Sequence, residues 1–483
     1  MSRGRGRGAL TALTALAVLG AALVGCSDGA DQGVSRGSLA WTTCPQDDRA
    51  QCATLDVPID RSVTGGPTMA LAIIRYRATA PSQRIGALLV NPGGPGASGK
   101  QFLLGQPFTA PLTQRFDLVS WDPRGVGDSS PLRCGGQSVR TFLADDPSPD
   151  DAAEQTRIDD DARVVALRCE QQDRAAVGHL GTRDTVEDID AIRAALGEET
   201  ISYVGFSYGT LYGLRYAEAH PDRLRAWVSD GVVDPTEDLE AFLVGQTGSF
   251  QLALERALDA CRDQPSCPLG GDPMARATEL ATKVEAAPLD DHEGGSVATV
   301  GPAELSAGYV EALYDPADWP RFWSAIAQGL DGDGTGLGRF ADEYYDFDGF
   351  TAYAATTCVD VPHPVGAAEF ATFAARAASV SPLLGPGIAN EMLPCAFWPA
   401  PVTGSLDPVA APDAPPSLVL GRTGDPATPY ESSVRVAAAL RGAHLVTSIG
   451  DGHTSYTASS CVRGVVDRYL ISLEVPAADP HCS

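Results

Sequence analysis

The chain has 483 residues and is 44% hydrophobic, which allows two or three domain-sized units or one enlarged catalytic domain with a sizeable core. Its 35 Lys and Arg residues against 62 Asp and Glu residues give a formal net charge of −27, and this argues against nucleic acid as a partner.

The N-terminus has the pattern of an export signal. Basic residues precede an apolar stretch from Ala9 to Val24, which is too short for a convincing membrane span. The stretch ends in Leu23-Val24-Gly25-Cys26, which resembles the bacterial lipobox, whose cysteine is acylated and becomes the first residue after cleavage. We predict a lipoprotein signal peptide over residues 1–25, an acyl anchor at Cys26 and a flexible tether over residues 26–40. An ordinary secretory signal with a chance cysteine is the alternative.

From Trp41 the chain reads as a folded domain. Strands are predicted at Met69 to Tyr76, Ile85 to Val90 and Phe116 to Trp121, and the second is a continuous apolar run suited to a central position. A Gly/Pro loop, Asn91-Pro92-Gly93-Gly94-Pro95-Gly96, follows that second strand. Such a loop can direct backbone amides at a reaction centre above the sheet.

The sequence Gly205-Phe206-Ser207-Tyr208-Gly209 has the form Gly-x-Ser-x-Gly. A strand-like stretch, Thr200 to Val204, precedes it and a helix former-rich stretch, Leu211 to Ala219, follows it. Strand, sharp turn and helix are the context of a nucleophile elbow, with Ser207 exposed at the top of a sheet. A Gly-rich turn with an ordinary serine is the alternative. A further helix is predicted from Thr182 to Leu196, ending at Gly197.

Helical periodicity dominates the chain from 234 to 399, after a predicted strand at Leu224 to Val228. Strand patterns resume with Ser417 to Leu420 and His444 to Ile449, beyond a Pro/Ala-rich link. An insertion of this size between strands is typical of a cap domain over an active site. We therefore predict a core formed by residues 41–233 and 400–483, with a helical cap over residues 234–399.

Loops after the last two strands contain Asp425 and His453. The chain order Ser207, Asp425, His453 is that of the triad in α/β-hydrolases. His453 would accept the Ser207 proton, and Asp425 would hold the imidazole tautomer. Asp451 is a rival acid by proximity in the chain. The amides of Tyr208 and Gly94, or of Gly93 instead of Gly94, would bind the oxyanion. This mechanism requires no cofactor and no metal.

Two loops carry a resemblance to a known family. Gly93-Gly94-Pro95-Gly96 is similar to part of the His-Gly-Gly-Pro-Gly loop of prolyl aminopeptidases, with Pro92 in place of their His. The loop Asp122-x-Arg124-Gly125-x-Gly127-x-Ser129 matches their following loop. The likeness is greatest to secreted actinobacterial tripeptidyl aminopeptidases and their lipoprotein relatives, whose elbow also reads Gly-x-Ser-Tyr-Gly. It implies an α/β-hydrolase fold with a large, mainly helical cap inserted between core strands.

The cysteine count also indicates export. With Cys26 set aside, ten of the 11 cysteines remain, which favours five disulfides over zinc ligation because no pair has zinc-ribbon spacing. The sequence leaves the connectivity open. Joining nearest neighbours gives the following pairs: Cys44–Cys52, Cys134–Cys169, Cys261–Cys267, Cys358–Cys395 and Cys461–Cys482. The resemblance supports the fourth pair, since similar segments are paired in the tripeptidyl aminopeptidases.

These features predict a monomeric, membrane-anchored, extracytoplasmic serine exopeptidase that cleaves peptides from a free N-terminus. The same triad would serve a carboxylesterase or lipase, and a non-catalytic lipoprotein such as a solute-binding component is a third hypothesis. An exopeptidase needs a carboxylate for the substrate ammonium group. Asp360 and Glu391 of the cap are candidates because they flank the Cys358 and Cys395 segments. The alternative is that both are ordinary surface acids.

Overall fold

The structure is a computed structural model that describes residues 39–292, 298–345 and 349–483. Cys26, the predicted signal peptide and nearly all of the predicted tether lie outside the described residues. The lipid-anchor prediction therefore concerns a part of the chain that the structure does not describe.

A mixed sheet of ten strands forms the centre of the described chain. Its strand order is β1-β2-β3-β5-β4-β6-β7-β10-β11-β12, and β8 and β9 form a separate pair. The strands are β1 Thr42–Thr43, β2 Ala50–Pro58, β3 Thr68–Tyr76, β4 Gly86–Asn91, β5 Phe116–Trp121, β6 Ile201–Phe206, β7 Leu224–Asp230, β8 Leu289–Asp290, β9 Thr299–Val300, β10 Ser417–Gly424, β11 Ala443–Asp451 and β12 His481–Cys482. Pairing is antiparallel from β1 through β3 to β5 and parallel across the rest of the sheet.

Helices connect the parallel strands and fill the long insertion after β7. They are α1 Gly99–Leu104, α2 Ala110–Arg115, α3 Gln137–Leu143, α4 Ala152–Asp173, α5 Thr182–Leu196, α6 Gly209–Ala219, α7 Leu239–Arg262, α8 Pro273–Ala286, α9 Pro302–Ala312, α10 Trp319–Asp331, α11 Thr335–Tyr344, α12 Phe350–Asp360, α13 Ala367–Val380, α14 Gly385–Asn390, α15 Tyr430–Ala439 and α16 Ser460–Ser472. Within the described residues, none of these helices combines the length and hydropathy that a membrane span needs.

The apolar run of β4 is explained by layers on both of its faces. Leu88 and Val90 join a core cluster with residues of α1, α2 and α16, whereas Ala87 and Leu89 join a second cluster with residues of α5 and α6. All four side chains are almost completely buried. Burying a Leu or Val side chain contributes about 1.5–3 kcal/mol, so a two-sided core favours continuous apolar strands over alternating ones.

The insertion between β7 and β10 contains α7 to α14 and the short β8–β9 pair. Its apolar residues, including Phe322 and Phe340, belong to the same core cluster as α5 and α6. The insertion therefore packs against one layer of the core. Together with the parallel sheet, this confirms the predicted α/β-hydrolase fold with a large helical insertion.

Five disulfides occur in the described part of the chain. They join the five pairs of nearest neighbours: Cys44–Cys52, Cys134–Cys169, Cys261–Cys267, Cys358–Cys395 and Cys461–Cys482. The fourth disulfide joins α12 to the segment after α14, within the helical insertion. It therefore holds the end of α12, which carries Asp360, against the segment that follows Glu391.

Candidate active site

Ser207 lies in a sharp turn between β6 and α6. Its backbone has a φ of +50°, a left-handed value that is unfavourable for serine. The Ser207 amide donates to the carbonyl of Asp230 at 2.9 Å, which helps to hold the turn. A Cβ on Gly205 would lie 2.3 Å from the carbonyl oxygen of Gly209, and one on Gly209 would lie 2.6 Å from the carbonyl oxygen of Asn91. Both motif glycines are therefore required by close backbone packing.

Asp425 and His453 are in direct contact at the carboxyl ends of β10 and β11. His453 Nδ1 lies 2.9 Å from both carboxylate oxygens of Asp425. The carboxylate also accepts the amides of Ala427, Thr428 and Thr454 and the hydroxyl of Thr428. This network fixes the imidazole orientation and leaves Nε2 on the side of the ring away from the carboxylate.

Asp425 and His453 each stabilise the charged form of the other. Burial tends to raise the pKa of Asp425, but the His453 charge and the donated hydrogen bonds hold it below its usual value. Burial tends to lower the pKa of His453, but the neighbouring Asp425 charge raises it above its usual value. The imidazole is consequently suited to accept and hold a proton beside a permanent carboxylate.

Asp451 is directed elsewhere. Its carboxylate is paired with the guanidinium group of Arg256 on α7. Asp425 therefore satisfies the geometric requirement for an acid at His453 Nδ1, whereas Asp451 is engaged by the insertion.

The loop after β4 lies directly against the nucleophile turn. A Cβ on Gly93 would lie 2.7 Å from the amide nitrogen of Tyr208. The Gly93 amide already donates to the side-chain oxygen of Asn91 at 3.0 Å. Gly94, Ser207 and Tyr208 all line one cavity. Gly94 is therefore better suited than Gly93 to act with Tyr208 as an oxyanion donor.

A cavity of about 520 Å³ opens over Ser207, between the core and the helical insertion. Aromatic side chains of the insertion form much of its wall: Phe250, Tyr314, Tyr344, Tyr345, Phe350 and Tyr353. This volume lies within the range of 300–1,000 Å³ that is common for small-molecule sites. The site can therefore enclose several residues of a peptide or an acyl group of similar size.

Glu391 lines this cavity. Its two carboxylate oxygens accept from the Tyr344 hydroxyl at 3.0 and 3.1 Å. Burial raises the pKa of Glu391 to about 7, and the Tyr344 hydrogen bond only partly opposes that effect. Among the described residues only the Tyr344 hydroxyl donates to Glu391, so its carboxylate retains acceptor capacity in the same cavity as Ser207.

Asp360 also borders the cavity, but both of its carboxylate oxygens already accept hydrogen bonds. It accepts from the Thr182 amide at 2.7 Å, the Thr182 hydroxyl at 2.6 Å and the Tyr208 hydroxyl at 2.7 Å. The residue is only 3% exposed. Asp360 therefore joins the end of α12 to the start of α5 and to the nucleophile turn, which is a different use from the predicted contact with a substrate amine.

The chain is similar in sequence to several known hydrolases. Residues 381–482 match the family of TAP-like proteins. The chain is 35% identical over 476 residues to serine protease Hip1 of Mycobacterium tuberculosis, covering 92% of this chain and 91% of that protein. It is 33% identical over 455 residues to carboxylesterase B of the same organism, covering 90% and 86%. It is 30% identical over 471 residues to tripeptidyl aminopeptidase of Streptomyces lividans, covering 93% and 87%.

The chain belongs to the TAP-like family of α/β-hydrolases. It is a serine hydrolase, and the relatives at 35% and 30% identity have peptidase names. Among residues 39–292, 298–345 and 349–483, no three His, Cys, Asp or Glu side chains are grouped in a way that could hold a metal ion.

In this TAP-like hydrolase, Tyr314 is a site residue that was not predicted from the sequence. The Tyr314 carbonyl accepts the His453 amide at 2.9 Å, and the Tyr314 ring packs edge-on against the imidazole with 5.5 Å between ring centroids. Tyr314 comes from the insertion, so the insertion contacts the histidine directly. No local pattern marks this tyrosine, since it simply follows α9 in a helical region.

Proposed function

We propose that the protein is an exported, membrane-anchored serine exopeptidase that hydrolyses peptides from a free N-terminus. The observation that carries this proposal is a carboxylate, Glu391, in the same cavity as Ser207. The peptidase names of two relatives in the family support the same substrate class.

The proposed reaction proceeds through an acyl-enzyme. Ser207 Oγ attacks the scissile carbonyl while His453 Nε2 takes the hydroxyl proton and Asp425 stabilises the imidazolium. The amides of Tyr208 and Gly94 bind the oxyanion that forms. The C–N bond then breaks as His453 returns the proton to the leaving amine. Water, activated by His453, hydrolyses the ester and releases the N-terminal peptide.

Glu391 would bind the substrate ammonium group. An ammonium–carboxylate hydrogen bond is charge-assisted, and it is stronger beside the partly buried Glu391 carboxylate than it would be in bulk water. Tyrosines also line this cavity, and the face of a tyrosine ring can attract a cation. Asp360 is the weaker candidate because its acceptor positions are occupied by Thr182 and Tyr208.

A carboxylesterase is the second candidate function, because a relative with that name is 33% identical over most of both chains. Fold and triad would serve both reactions. The test is a panel of tripeptidyl-aminocoumarins, their N-acetylated forms and p-nitrophenyl esters. A peptidase of the proposed kind cleaves the free-amine peptides with the highest kcat/KM, whereas efficient cleavage of esters alone would favour the esterase.

The proposed location rests on the N-terminal sequence. A basic and apolar leader ends at Cys26, and removal of its three arginines would change the mature charge to 32 − 62 = −30. The five disulfides favour an oxidising, extracytoplasmic compartment. Two or more acyl chains on Cys26 would anchor the enzyme stably at the membrane.

A further inference from the structure

Asp230 is a buried carboxylate that the proposed mechanism does not use. It is the last residue of β7, which lies between the nucleophile strand β6 and the acid strand β10. In the two ladders it pairs with Phe206 on one side and Leu420 on the other. The residue is completely buried. An unused acid at this depth is costly unless its oxygens are well occupied.

Asp230 connects the nucleophile turn to the histidine loop. Its carbonyl oxygen accepts the Ser207 amide at 2.9 Å. Its carboxylate accepts the Ser455 amide at 2.9 and 3.0 Å and the Tyr456 amide at 2.8 Å. Ser455 is two residues after His453. Asp230 is thus hydrogen-bonded both to the backbone of Ser207 and to the backbone that follows His453.

The next residue, Gly231, lies against the imidazole itself. Its φ is +68°, and a Cβ there would lie 3.3 Å from His453 Cε1 and 2.9 Å from Thr428 Oγ1. Its amide donates to the Leu420 carbonyl at 3.1 Å. The segment Asp230–Gly231 therefore contacts the turn of the nucleophile, the loop of the acid and the ring of the base.

We propose that Asp230 and Gly231 are positioning residues that hold His453 in place relative to Ser207, with the Asp230 carboxylate as a second negative charge near the imidazolium. The proposal rests on the triad assigned under the proposed function, and not on the choice between peptide and ester substrates.

The Asp230 charge should change the pKa of His453 in a defined direction. The carboxylates of Asp425 and Asp230 raise the pKa of His453, and the Arg422 charge lowers it. The Tyr314 ring is the titratable group of the insertion that packs against the imidazole. Burial raises the pKa of Asp230 to about 6, although the amides of Tyr456 and Ser455 favour its ionised form. At neutral pH Asp230 is therefore mostly ionised, and removal of its charge should lower the pKa of the imidazolium.

The test is Asp230→Asn, which keeps the shape but replaces one acceptor oxygen by an NH₂ group that faces an amide. We expect kcat per titrated active site to fall roughly 10- to 100-fold while KM changes less than about threefold. We also expect the acid limb of kcat/KM to move to lower pH by roughly half a unit. Active sites are counted by fluorophosphonate labelling, and a p-nitrophenyl ester is the substrate.

Asp117→Asn is the matched control. Asp117 is also a buried carboxylate of the central sheet, 5% exposed, which accepts the Ala78 amide at 2.8 Å. The Asp117→Asn variant should retain the wild-type kcat and the wild-type pH profile of kcat/KM. A merely structural role for Asp230 would reduce the number of active sites and leave the rate per site and the acid limb unchanged, and that result would overturn the proposal.

If Asp230→Asn yields no folded protein, Gly231→Ala tests the same positioning proposal. Its methyl group presses on the imidazole edge while the Asp230 carboxylate stays intact, so kcat should fall roughly tenfold or more with KM retained. A wild-type kcat would overturn the proposal. Failure of the triad assignment is recognised separately, because Ser207→Ala would then keep its fluorophosphonate labelling.

Discussion

Replacement of Glu391 by Gln tests how the enzyme recognises a free N-terminus. The substitution preserves the size of the side chain and its contact with Tyr344 but removes the charge that would pair with a substrate ammonium group. Acetylation of the substrate removes the other charge of the same pair. The two changes together form a double-mutant cycle, which isolates the interaction between the charges.

The expected interaction free energy between Glu391 and the substrate ammonium group follows from the surroundings of Glu391. A charge pair about 4 Å apart at an effective dielectric constant near 20 is worth about 4 kcal/mol before desolvation. Glu391 is half-buried, and among the described residues only the Tyr344 hydroxyl donates to its carboxylate. After part of the desolvation cost, we expect about 2–3 kcal/mol, or roughly 30- to 160-fold in kcat/KM.

The preference should also depend on pH. Burial raises the pKa of Glu391 to about 7, so its carboxylate is available for pairing only as the pH rises through that value. The substrate α-amino group loses its proton near pH 8. The ratio of kcat/KM for the free and acetylated peptides should therefore be largest between these two values and fall on both sides.

The assay compares a tripeptidyl-aminocoumarin with its N-acetylated form on the wild type, Glu391→Gln and a control, Glu304→Gln. Glu304 is a half-buried acid of the insertion that accepts the Gly301 amide at 2.9 Å and lies outside the cavity wall. We expect the preference for the free amine to collapse only in Glu391→Gln. An undiminished preference in that variant would refute Glu391 as the amine ligand, and equal rates on both peptides in the wild type would refute the exopeptidase reasoning.

Three further predictions concern the triad, the anchor and the disulfides. Ser207→Ala should abolish fluorophosphonate labelling and Asp425→Asn should lower kcat roughly 10⁴-fold; full activity of Asp425→Asn with loss in Asp451→Asn would reassign the acid. The mature chain should begin at an acylated Cys26 by mass spectrometry, and an unmodified N-terminus further along would contradict the anchor. Non-reducing peptide mapping should find the Cys358–Cys395 disulfide, whose removal should cost about 3–4 kcal/mol in urea unfolding; free thiols there would contradict it.

Local patterns were enough to predict most of the elements that surround the candidate site. The strand before Ser207, the helix after it and the helix Thr182–Leu196 are all present. The strands before Asp425 and His453 are present as well, as β10 and β11. Apolar runs and helical periodicity are local properties of the chain, and parallel strands bring their carboxyl ends to one edge of a sheet. Loops that are far apart in the chain therefore meet at that edge of the sheet.

The strand β2 was not predicted, because its local sequence is unfavourable for a strand. Ala50–Pro58 includes Asp56 and Pro58, which are unfavourable in strands, and no strand was predicted there. Its nine-residue antiparallel pairing with β3 stabilises it nonetheless. Tertiary pairing therefore outweighs local preference at this position.

Only the tertiary structure distinguished between residues of the same type at the site. Gly93 and Gly94 are equivalent in sequence, but the Asn91 side chain engages the amide of Gly93. Asp360 and Glu391 were equal candidates, but Thr182 and Tyr208 occupy the carboxylate of Asp360. The reason is physical: the availability of a buried polar group depends on its hydrogen-bond partners, and for Asp360 these come from segments more than 150 residues away in the chain.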